Sequence, residues 1–388
     1  MGGNAFSTLD TPRLSHEQWE LLRVRCIKIL LEFYEQVVCP PEAPEKVDHG
    51  DVDLLVEAPK HPIEPDTLQN ALGAVSRTKV GVTMSFAVPL PETQESFAQI
   101  DVHICGEGNL QWELWMASYG DLVQILGHQN RGIGLTMNDK GLNVRVPEVE
   151  ITNRKQAMIL LTKEPIKVMQ FLGLDAEHWQ RGFATLEDLF FWCSAGRFYN
   201  KPKSSDAAPE QTTNDRARLK KRPMFANYFY EWIPAHPEAW QNDERVQRDV
   251  VLQEAIKSFG VRTQYEAIMT TWRQEVNAND ALISIKESLP ITGSALGLVL
   301  KGIKRWVTFK DGQPQMRPLG EPEEDITKLP DWLPRITSEE LGQLNEWLQK
   351  NWPELKSREK HRSEARRELG QGVAGSMATL SLLPTDQL

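Results

Sequence analysis

The stretch His49-Gly50-Asp51-Val52-Asp53-Leu54-Leu55-Val56 decides how the first part of this chain folds. Apolar residues surround its two aspartates, and His49-Gly50 and Pro59 bound it, which predicts a strand over residues 52–56. Alternate side chains of a strand share a face, so Asp51 and Asp53 lie side by side. Adjacent carboxylates repel each other, and Mg²⁺ relieves that repulsion because it prefers oxygen ligands. A hydrated strand end is the simpler interpretation of Asp-x-Asp alone.

A third aspartate makes a metal site the stronger hypothesis. The stretch Phe97-Ala98-Gln99-Ile100-Asp101-Val102-His103-Ile104 predicts a second apolar strand with Asp101 at its middle. If this strand lies beside residues 52–56, its aspartate joins Asp51 and Asp53. Three such carboxylates can hold two Mg²⁺ or Mn²⁺ ions about 3.5–4 Å apart. The alternative for Asp101 alone is an edge-strand aspartate capped by backbone amides.

The surrounding sequence predicts an α+β fold with a small mixed sheet. Ser15 begins a capping box, and apolar residues at three- and four-residue steps predict a helix over 15–37. Shorter helices are predicted over 66–76 and around 118–127. Residues 82–90 and 96–104 predict one hairpin, and residues 133–137 and 141–146 predict another. Because hairpin strands run antiparallel, these pairs argue against an all-parallel sheet.

From residue 150 onward the pattern is almost entirely helical. Residues 200–222 are polar and rich in Pro and Ser, which predicts a disordered loop, and residues 311–336 predict an irregular excursion. We therefore predict three parts: a catalytic domain over 1–150, a helical substrate-binding domain over 151–350, and a mobile tail over 351–388. The predicted helices cover 153–162, 164–172, 185–198, 224–232, 243–259, 261–276, 279–287, 293–306 and 337–350.

Composition limits the class of protein. The 388 residues carry 44 Lys and Arg against 54 Asp and Glu, a net charge of −10, and 40% of them are hydrophobic. No apolar run is long enough to span a membrane, and no secretory signal pattern is present. Four scattered cysteines form no Cys-x-x-Cys pair, and no His stands at the usual zinc-ligand spacing. These features predict a soluble, cytoplasmic protein, with a nuclear location left open by Lys220-Lys221-Arg222-Pro223.

The charge is uneven along the chain. The first 150 residues hold twice as many acidic as basic residues, whereas the remainder is almost balanced. An acidic first domain is a poor general binder of polyanions, and it suits a site that collects cations. A merely acidic, soluble surface explains the same charge.

These motifs resemble those of the polymerase-β-type nucleotidyltransferase superfamily. Their residues are similar to those of small nucleotidyltransferases of bacteriophage. The resemblance covers about residues 1–150. It is carried by the opening Gly2-Gly3-Asn4-Ala5-Phe6, the Gly50-Asp51-Val52-Asp53 strand, Ser85-Phe86-Ala87-Val88-Pro89, Gln99-Ile100-Asp101, and the stretch 113–131. It implies that Asp51, Asp53 and Asp101 are catalytic metal ligands, with Gly50 beside the nucleotide.

One feature of the superfamily is altered here. A Gly-Ser or Gly-Gly pair normally precedes the first aspartate and holds phosphates through its backbone amides. This chain has Cys39-Pro40-Pro41 at that distance, and proline supplies no amide. His49 also replaces the serine of the phage proteins. Basic residues that could compensate as nucleotide-binding groups are Lys46, Arg77, Lys79 and Arg131, although each, taken singly, is more often a solvated surface residue.

A second, shorter resemblance lies near the end of the chain. Leu289-Pro290-Ile291-Thr292-Gly293 opens a helix that carries Lys301 and Lys304 and resembles a helix start in tRNA-CCA-adding nucleotidyltransferases. It implies that both lysines bind substrate, and an ordinary glycine-containing helix start is at least as good an interpretation.

Three functions follow. The first is transfer of a nucleoside monophosphate from a nucleoside triphosphate to a hydroxyl acceptor, such as the end of an RNA or DNA, with release of pyrophosphate. The second is a catalytically inactive protein of the same fold that binds a nucleotide or a partner. The third is transfer of a nucleotide to a protein or small molecule, which the absence of a broad basic patch keeps open.

Overall fold

The computed structural model describes the backbone of residues 3–90, 95–199, 222–240, 246–318 and 327–380, and the side chains of these residues up to 365. Its contacts divide the chain into two compact units, Met1–Tyr265 and Glu266–Leu388. The boundary lies within one helix, Arg262–Ser288.

The first unit is built on a mixed five-stranded sheet. Its strand order is β2-β4-β7-β6-β5, with β4 and β7 parallel and every other neighbouring pair antiparallel. The sheet confirms the α+β class, the strand at residues 52–56 and the hairpin of residues 82–104. Its strands are β2 (Tyr34–Val38), β4 (Asp51–Pro59), β5 (Ser76–Val80), β6 (Thr83–Pro89) and β7 (Phe97–Ile104); a separate short pair joins β1 (Leu14–Ser15) to β3 (Asp48–His49).

Helices α1 (His16–Leu30) and α2 (Pro65–Leu72) cover one face of this sheet. Side chains of that face, such as Val52, Leu54 and Ile100, are fully buried against apolar residues of the two helices. Removing apolar surface from water is the main stabilising contribution of such a layer. The opposite face of β4 and β7 carries the polar residues of the candidate site.

The predicted helix over 15–37 is too long. The capping box at Ser15 is present, with the Ser15 side chain accepting from the Gln18 backbone amide, but α1 ends at Leu30. Residues 34–38 instead form β2, which pairs antiparallel with β4. Pairing of the backbone with β4 outweighs the helical spacing of side chains that suggested a longer helix.

The remainder of the first unit combines a three-stranded antiparallel sheet with helices. Strands β8 (Leu135–Asn138) and β9 (Gly141–Arg145) confirm the second predicted hairpin. The helix predicted over 153–162 is wrong, because Met158–Thr162 forms β10 beside β9. The helices are α3 (Leu110–Ala117), α4 (Leu122–Gly132), α5 (Pro147–Glu150), α6 (Pro165–Leu172), α7 (Ala176–Arg181), α8 (Leu186–Ser194), Pro223–Asn227, a π-helix Tyr228–Trp232, Ile233–Ala235, a 3₁₀ turn Pro237–Ala239, and Arg248–Phe259.

The second unit is mostly helical. Helices Arg262–Ser288, Gly293–Trp306 and Ser338–Leu380 surround an apolar core with a short hairpin, Val307–Lys310 and Gln313–Met316, and a 3₁₀ turn, Leu333–Arg335. The hairpin corrects the irregular prediction for the start of 311–336. The predicted boundary at residue 350 falls inside the last helix, whose Leu355 is buried in the core.

Parts of several predictions lie outside the described residues. They are positions 200–221 of the predicted disordered loop, with Lys220 and Lys221 of the basic motif, positions 243–245 of the helix predicted over 243–259, positions 319–326 of the stretch 311–336, and positions 381–388 of the tail. Among the residues that the structure describes, no helix is long and apolar enough to cross a membrane.

Candidate metal centre

The three aspartates lie together on neighbouring strands. Asp53 of β4 stands directly opposite Asp101 of β7 in the parallel register, and Asp51 stands opposite Gln99. One carboxylate oxygen from each aspartate lies within 4.8 Å of the others. The two stretches that suggested a metal site are therefore adjacent, and the alternation of the pleat points all three side chains to one face.

The electrostatics of the group are those of like charges held close together. Loss of water around the carboxyl, followed by repulsion from Asp51 and Asp101, raises the pKa of Asp53 to about 7, although Asp53 remains exposed. Desolvation is also the main cause that raises the pKa of Asp51 and of Asp101. Carboxyl groups with raised pKa values resist ionisation, and a cation bound beside them stabilises their ionised form.

Neighbouring polar groups hold Asp101 in place. The Gln99 side-chain amide donates to both oxygens of Asp101 at 3.0 Å, and Ser85, opposite in the register, also hydrogen-bonds it. The side-chain oxygen Oε1 of Gln99 accepts a hydrogen bond from the Ala5 backbone amide at 2.9 Å. Gln99 is buried, so this chain of bonds fixes the carboxylate relative to the start of the chain.

The Gly-Gly opening contributes through close backbone contact. Gly3 adopts φ +82°, and a Cβ built there would lie 2.8 Å from the carbonyl oxygen of Gly50. Thr11 donates its hydroxyl to the Gly3 carbonyl at 2.6 Å. Glycine at position 3 is thus required by both the left-handed backbone and the approach to Gly50, which immediately precedes Asp51.

The loop before β4 places a fourth acid near the aspartates. Glu42 raises the pKa of both Asp51 and Asp53 by its charge, and Lys46 lowers both. Lys46 therefore lies near the site, and it forms an ion pair with Glu42 at 2.6 Å. The Pro41 carbonyl accepts a hydrogen bond from the Tyr119 backbone amide at 2.7 Å, which ties this loop to the residues that follow α3.

His49 is a structural neighbour of this loop. It is almost fully buried, stacks on Trp19 with ring centroids 4.5 Å apart, and approaches Glu42 at 3.4 Å. Burial lowers its pKa, which favours the neutral imidazole. His49 therefore fills the space between α1 and the loop.

Two other predicted residues, Arg77 and Lys79, do not lie on the face of the sheet that carries the aspartates. Lys79 is exposed on β5 in the row of Met84 and Val102, which belongs to the helix-covered face. Arg131 is exposed near the end of α4. Lys301 and Lys304 lie on the helix Gly293–Trp306 of the second unit, and Arg77 pairs with Asp66.

Sequence reasoning missed a second group of potential metal ligands. His103, Cys105 and Glu113 each place one ligand atom within 4.8 Å of the others. His103-x-Cys105 is visible in the sequence as two ligands on one side of a strand end. The third ligand was not visible, because Glu113 lies on α3 and its position depends on how that helix packs.

Comparisons with known proteins give limited similarity. No protein-family model matches the chain, and no curated protein matches it. Two solved structures of polymerase beta from Leishmania infantum are similar to part of it. The ternary P/T complex is 12% identical and covers 42% of this chain and 74% of that chain; the ternary gap complex is 13% identical and covers 42% and 68%; both have a TM-score of 0.31. Similarity at this level assigns no activity to this chain.

Proposed function

We propose that this protein is a metal-dependent nucleotidyltransferase. It would transfer a nucleoside monophosphate from a nucleoside triphosphate to a hydroxyl acceptor and release pyrophosphate. The observation that carries the proposal is the convergence of Asp51, Asp53 and Asp101 from two paired strands onto one point. The finer expectation, a likeness to the phage-type enzymes, depends on the sequence motifs alone.

The donor set fits Mg²⁺ or Mn²⁺. All three groups offer carboxylate oxygens, which are the ligands of hard divalent cations, and loss of surrounding water is the main cause that raises the pKa of each. When bound, two such ions supply electrostatic stabilisation of the attacking and leaving oxygens. The ligands would be Asp51, Asp53 and Asp101.

In this proposal Asp101 would act on the acceptor. Its carboxylate would accept the proton of the attacking hydroxyl, and Gln99 would keep it oriented for that transfer. Gly50 would leave room for the nucleotide beside Asp51. Lys46 would contact phosphate only after exchanging its ion pair with Glu42.

Fewer observations bear on the binding of the acceptor than on the metal ligands. We infer that the helical part after residue 150 binds the acceptor and that Lys301 and Lys304 contribute to it as positive charges. A nucleic-acid end is the favoured acceptor, and the balanced charge of this region keeps a protein or small-molecule acceptor as the alternative.

The test is release of pyrophosphate from each of the four ribonucleoside triphosphates, with Mg²⁺ or Mn²⁺, in the presence and absence of RNA or DNA. We expect metal-dependent release that disappears in the double variant Asp51→Ala, Asp53→Ala. Asp48→Asn is the matched control, because Asp48 lies on the same segment but faces solvent and pairs with Arg13. Equal release by the double variant would overturn the proposal.

A binding protein without turnover is the second candidate, and the loop before β4 favours it. Pro40 and Pro41 offer no amides, and Glu42 places another negative charge near the aspartates. A nucleoside triphosphate with Mg²⁺ would then raise the melting temperature of the wild-type protein without any release of pyrophosphate. Stabilisation that the double variant loses, together with no turnover under any condition, would select this candidate.

A further inference from the structure

A group of three different ligand types lies beyond the aspartates on the same strand. His103 is the second residue after Asp101 in β7, and Cys105 directly follows the end of that strand. Glu113 reaches them from α3, and its Oε2 lies 2.7 Å from Nε2 of His103. The three groups thus come from two elements that the sheet and helix hold in place.

The position of α3 is fixed by a buried carboxylate. Glu57 of β4 accepts hydrogen bonds from the backbone amides of Asn109 and Leu110, at 2.9 and 3.1 Å. These amides belong to the first turn of α3, whose free N–H groups need acceptors. Because Glu57 ties the helix to the sheet, Glu113 is presented to His103 by the framework rather than by a free loop.

The other ring nitrogen of His103 also has a partner. Thr83 of β6, directly opposite in the register, places its hydroxyl 2.8 Å from Nδ1. Metal-binding histidines commonly donate their second ring N–H to such an acceptor, which fixes the ring orientation and leaves the other nitrogen free to coordinate. This contact is a second observation in favour of a metal ligand.

Cys105 lies in an apolar setting. It is buried against Leu55 and Leu110, and that burial, followed by the charge of Glu113, raises the pKa of its thiol to about 12. His103 and Glu113 keep partial exposure, so the group is reachable from solvent. The thiol of Cys105 also hydrogen-bonds the Glu113 side chain, so sulfur, carboxylate and imidazole form one contiguous group.

We propose that His103, Cys105 and Glu113 form a Zn²⁺ site that is separate from the three aspartates. Thiolate, imidazole and carboxylate are together the ligands of a borderline-soft ion, whereas Mg²⁺ takes oxygen ligands. Three protein ligands leave the fourth tetrahedral position for water. On binding, the ion takes the place of the hydrogen bond between His103 and Glu113, and the Cys105 proton goes to solvent.

The competing interpretation is a hydrogen-bonded chain. Thr83 would donate to Nδ1 of His103, and Nε2–H would donate to Glu113, which satisfies all three polar groups without a metal. The two interpretations differ in what they require of Cys105. The hydrogen-bonded chain from Thr83 to Glu113 does not involve the sulfur of Cys105, whereas the metal site needs that sulfur as a ligand.

The experiment measures metal binding to the whole protein, with thiols kept reduced. The metal-free protein is titrated with Zn²⁺ against a chromophoric chelator and, separately, with Co²⁺, whose bond to a thiolate produces a charge-transfer absorption band. With excess Mg²⁺ present to occupy the oxygen ligands of the aspartates, we expect one equivalent of Zn²⁺ to bind and Co²⁺ to give the thiolate band. Cys105→Ser should abolish the band and weaken Zn²⁺ binding by more than the about 10–100-fold loss expected for Thr83→Val.

Two controls keep the proposal testable. Cys39→Ser removes a cysteine that belongs to neither group, so it should keep both the stoichiometry and the band. The double variant Asp51→Asn, Asp53→Asn should also keep them, which separates this site from the aspartates and from the proposed transferase activity. Circular dichroism of each variant checks that it is folded.

Either of two results would overturn the proposal. One is the absence of stoichiometric Zn²⁺ binding by folded wild-type protein. The other is unchanged Zn²⁺ affinity in folded Cys105→Ser protein, which would support the hydrogen-bonded chain or a site at the aspartates.

Discussion

Two groups of charged side chains, both at least partly shielded from water, differ in the signs of the charges that they combine. In the first unit, Asp51, Asp53 and Asp101 place three like charges together. In the second unit, Arg305 donates to Glu359 at 2.7 Å, both side chains are almost fully buried, and the Trp306 indole also donates to Glu359. The first group lacks an opposite charge of its own, whereas the second contains one.

The difference indicates which group serves the fold and which serves a ligand. A buried pair of opposite charges is satisfied within the protein, so removing one partner leaves an uncompensated charge. Members of a cluster of like charges repel one another unless a cation binds between them. Removing one member therefore reduces the repulsion. Substitutions in the two groups should therefore move stability in opposite directions.

The largest expected effect is on catalysis at the aspartates. Asp101→Asn keeps the size of the side chain and removes the charge that would accept the hydroxyl proton. We expect the rate of pyrophosphate release to fall about 10²–10⁴-fold, the range for loss of a positioned general base. Measured without metal, the free energy of unfolding should stay the same or rise, because repulsion with Asp51 and Asp53 is reduced.

Asp48→Asn serves as the control, since Asp48 is half-exposed, pairs with Arg13 and is not one of the three clustered carboxylates. A variant Asp101→Asn that keeps wild-type turnover would remove Asp101 from the mechanism. A variant that unfolds more easily than wild type would show that this carboxylate supports the fold after all.

A comparable change in the second unit should damage stability. Glu359→Ala leaves Arg305 buried without the carboxylate, and it also removes the acceptor of the Trp306 indole. We expect the free energy of unfolding to fall by about 3–5 kcal/mol, the cost typical of breaking a buried ion pair. Urea unfolding measures it, and Glu354→Ala on the same helix is the control because its pair with Arg358 is more exposed.

The third prediction concerns a residue that acts through Asp101. Gln99→Leu removes the two bonds to that carboxylate and the acceptor of the Ala5 amide. Partners of a metal ligand typically contribute about 10–100-fold to metal affinity or activity, so we expect a loss of that size in the Mg²⁺ dependence of turnover. Asn143→Leu, another buried amide far from the aspartates in sequence, should change stability without changing the Mg²⁺ dependence.

Local sequence patterns are enough to predict the three aspartates of the site. The aspartates on residues 51 and 53 share a face because of the strand period, and Asp101 lies in a second recognisable strand. Their adjacency required only that the two strands pair. The sequence therefore predicted the three carboxylates, the hairpins and the α+β class from local patterns.

What the sequence could not supply depends on packing and register. Lys79 looks like a nucleotide-binding lysine in the sequence, but the register of β5 places it in a row with Met84 on the covered face. Residues 34–38 and 158–162 form strands because of partners distant in sequence. Glu113 joins His103 and Cys105 only because Glu57 anchors α3, which no local pattern reveals.

The smallest expected effect is the pH dependence of stability at the aspartates. The pKa of Asp53 is raised to about 7 in the folded protein, above its value in an unfolded chain. The folded state therefore binds more protons between these two values, and stability without metal should fall as the pH rises from about 4 to about 7. Because Asp53 keeps contact with water, we expect a change in Tm of no more than about 2–4 °C. Asp53→Asn should flatten the slope of Tm against pH, and saturating Mg²⁺ should do the same in the wild type. A slope of opposite sign over the same pH range would mean that positive charges of the protein itself compensate the three carboxylates, as Arg305 compensates Glu359.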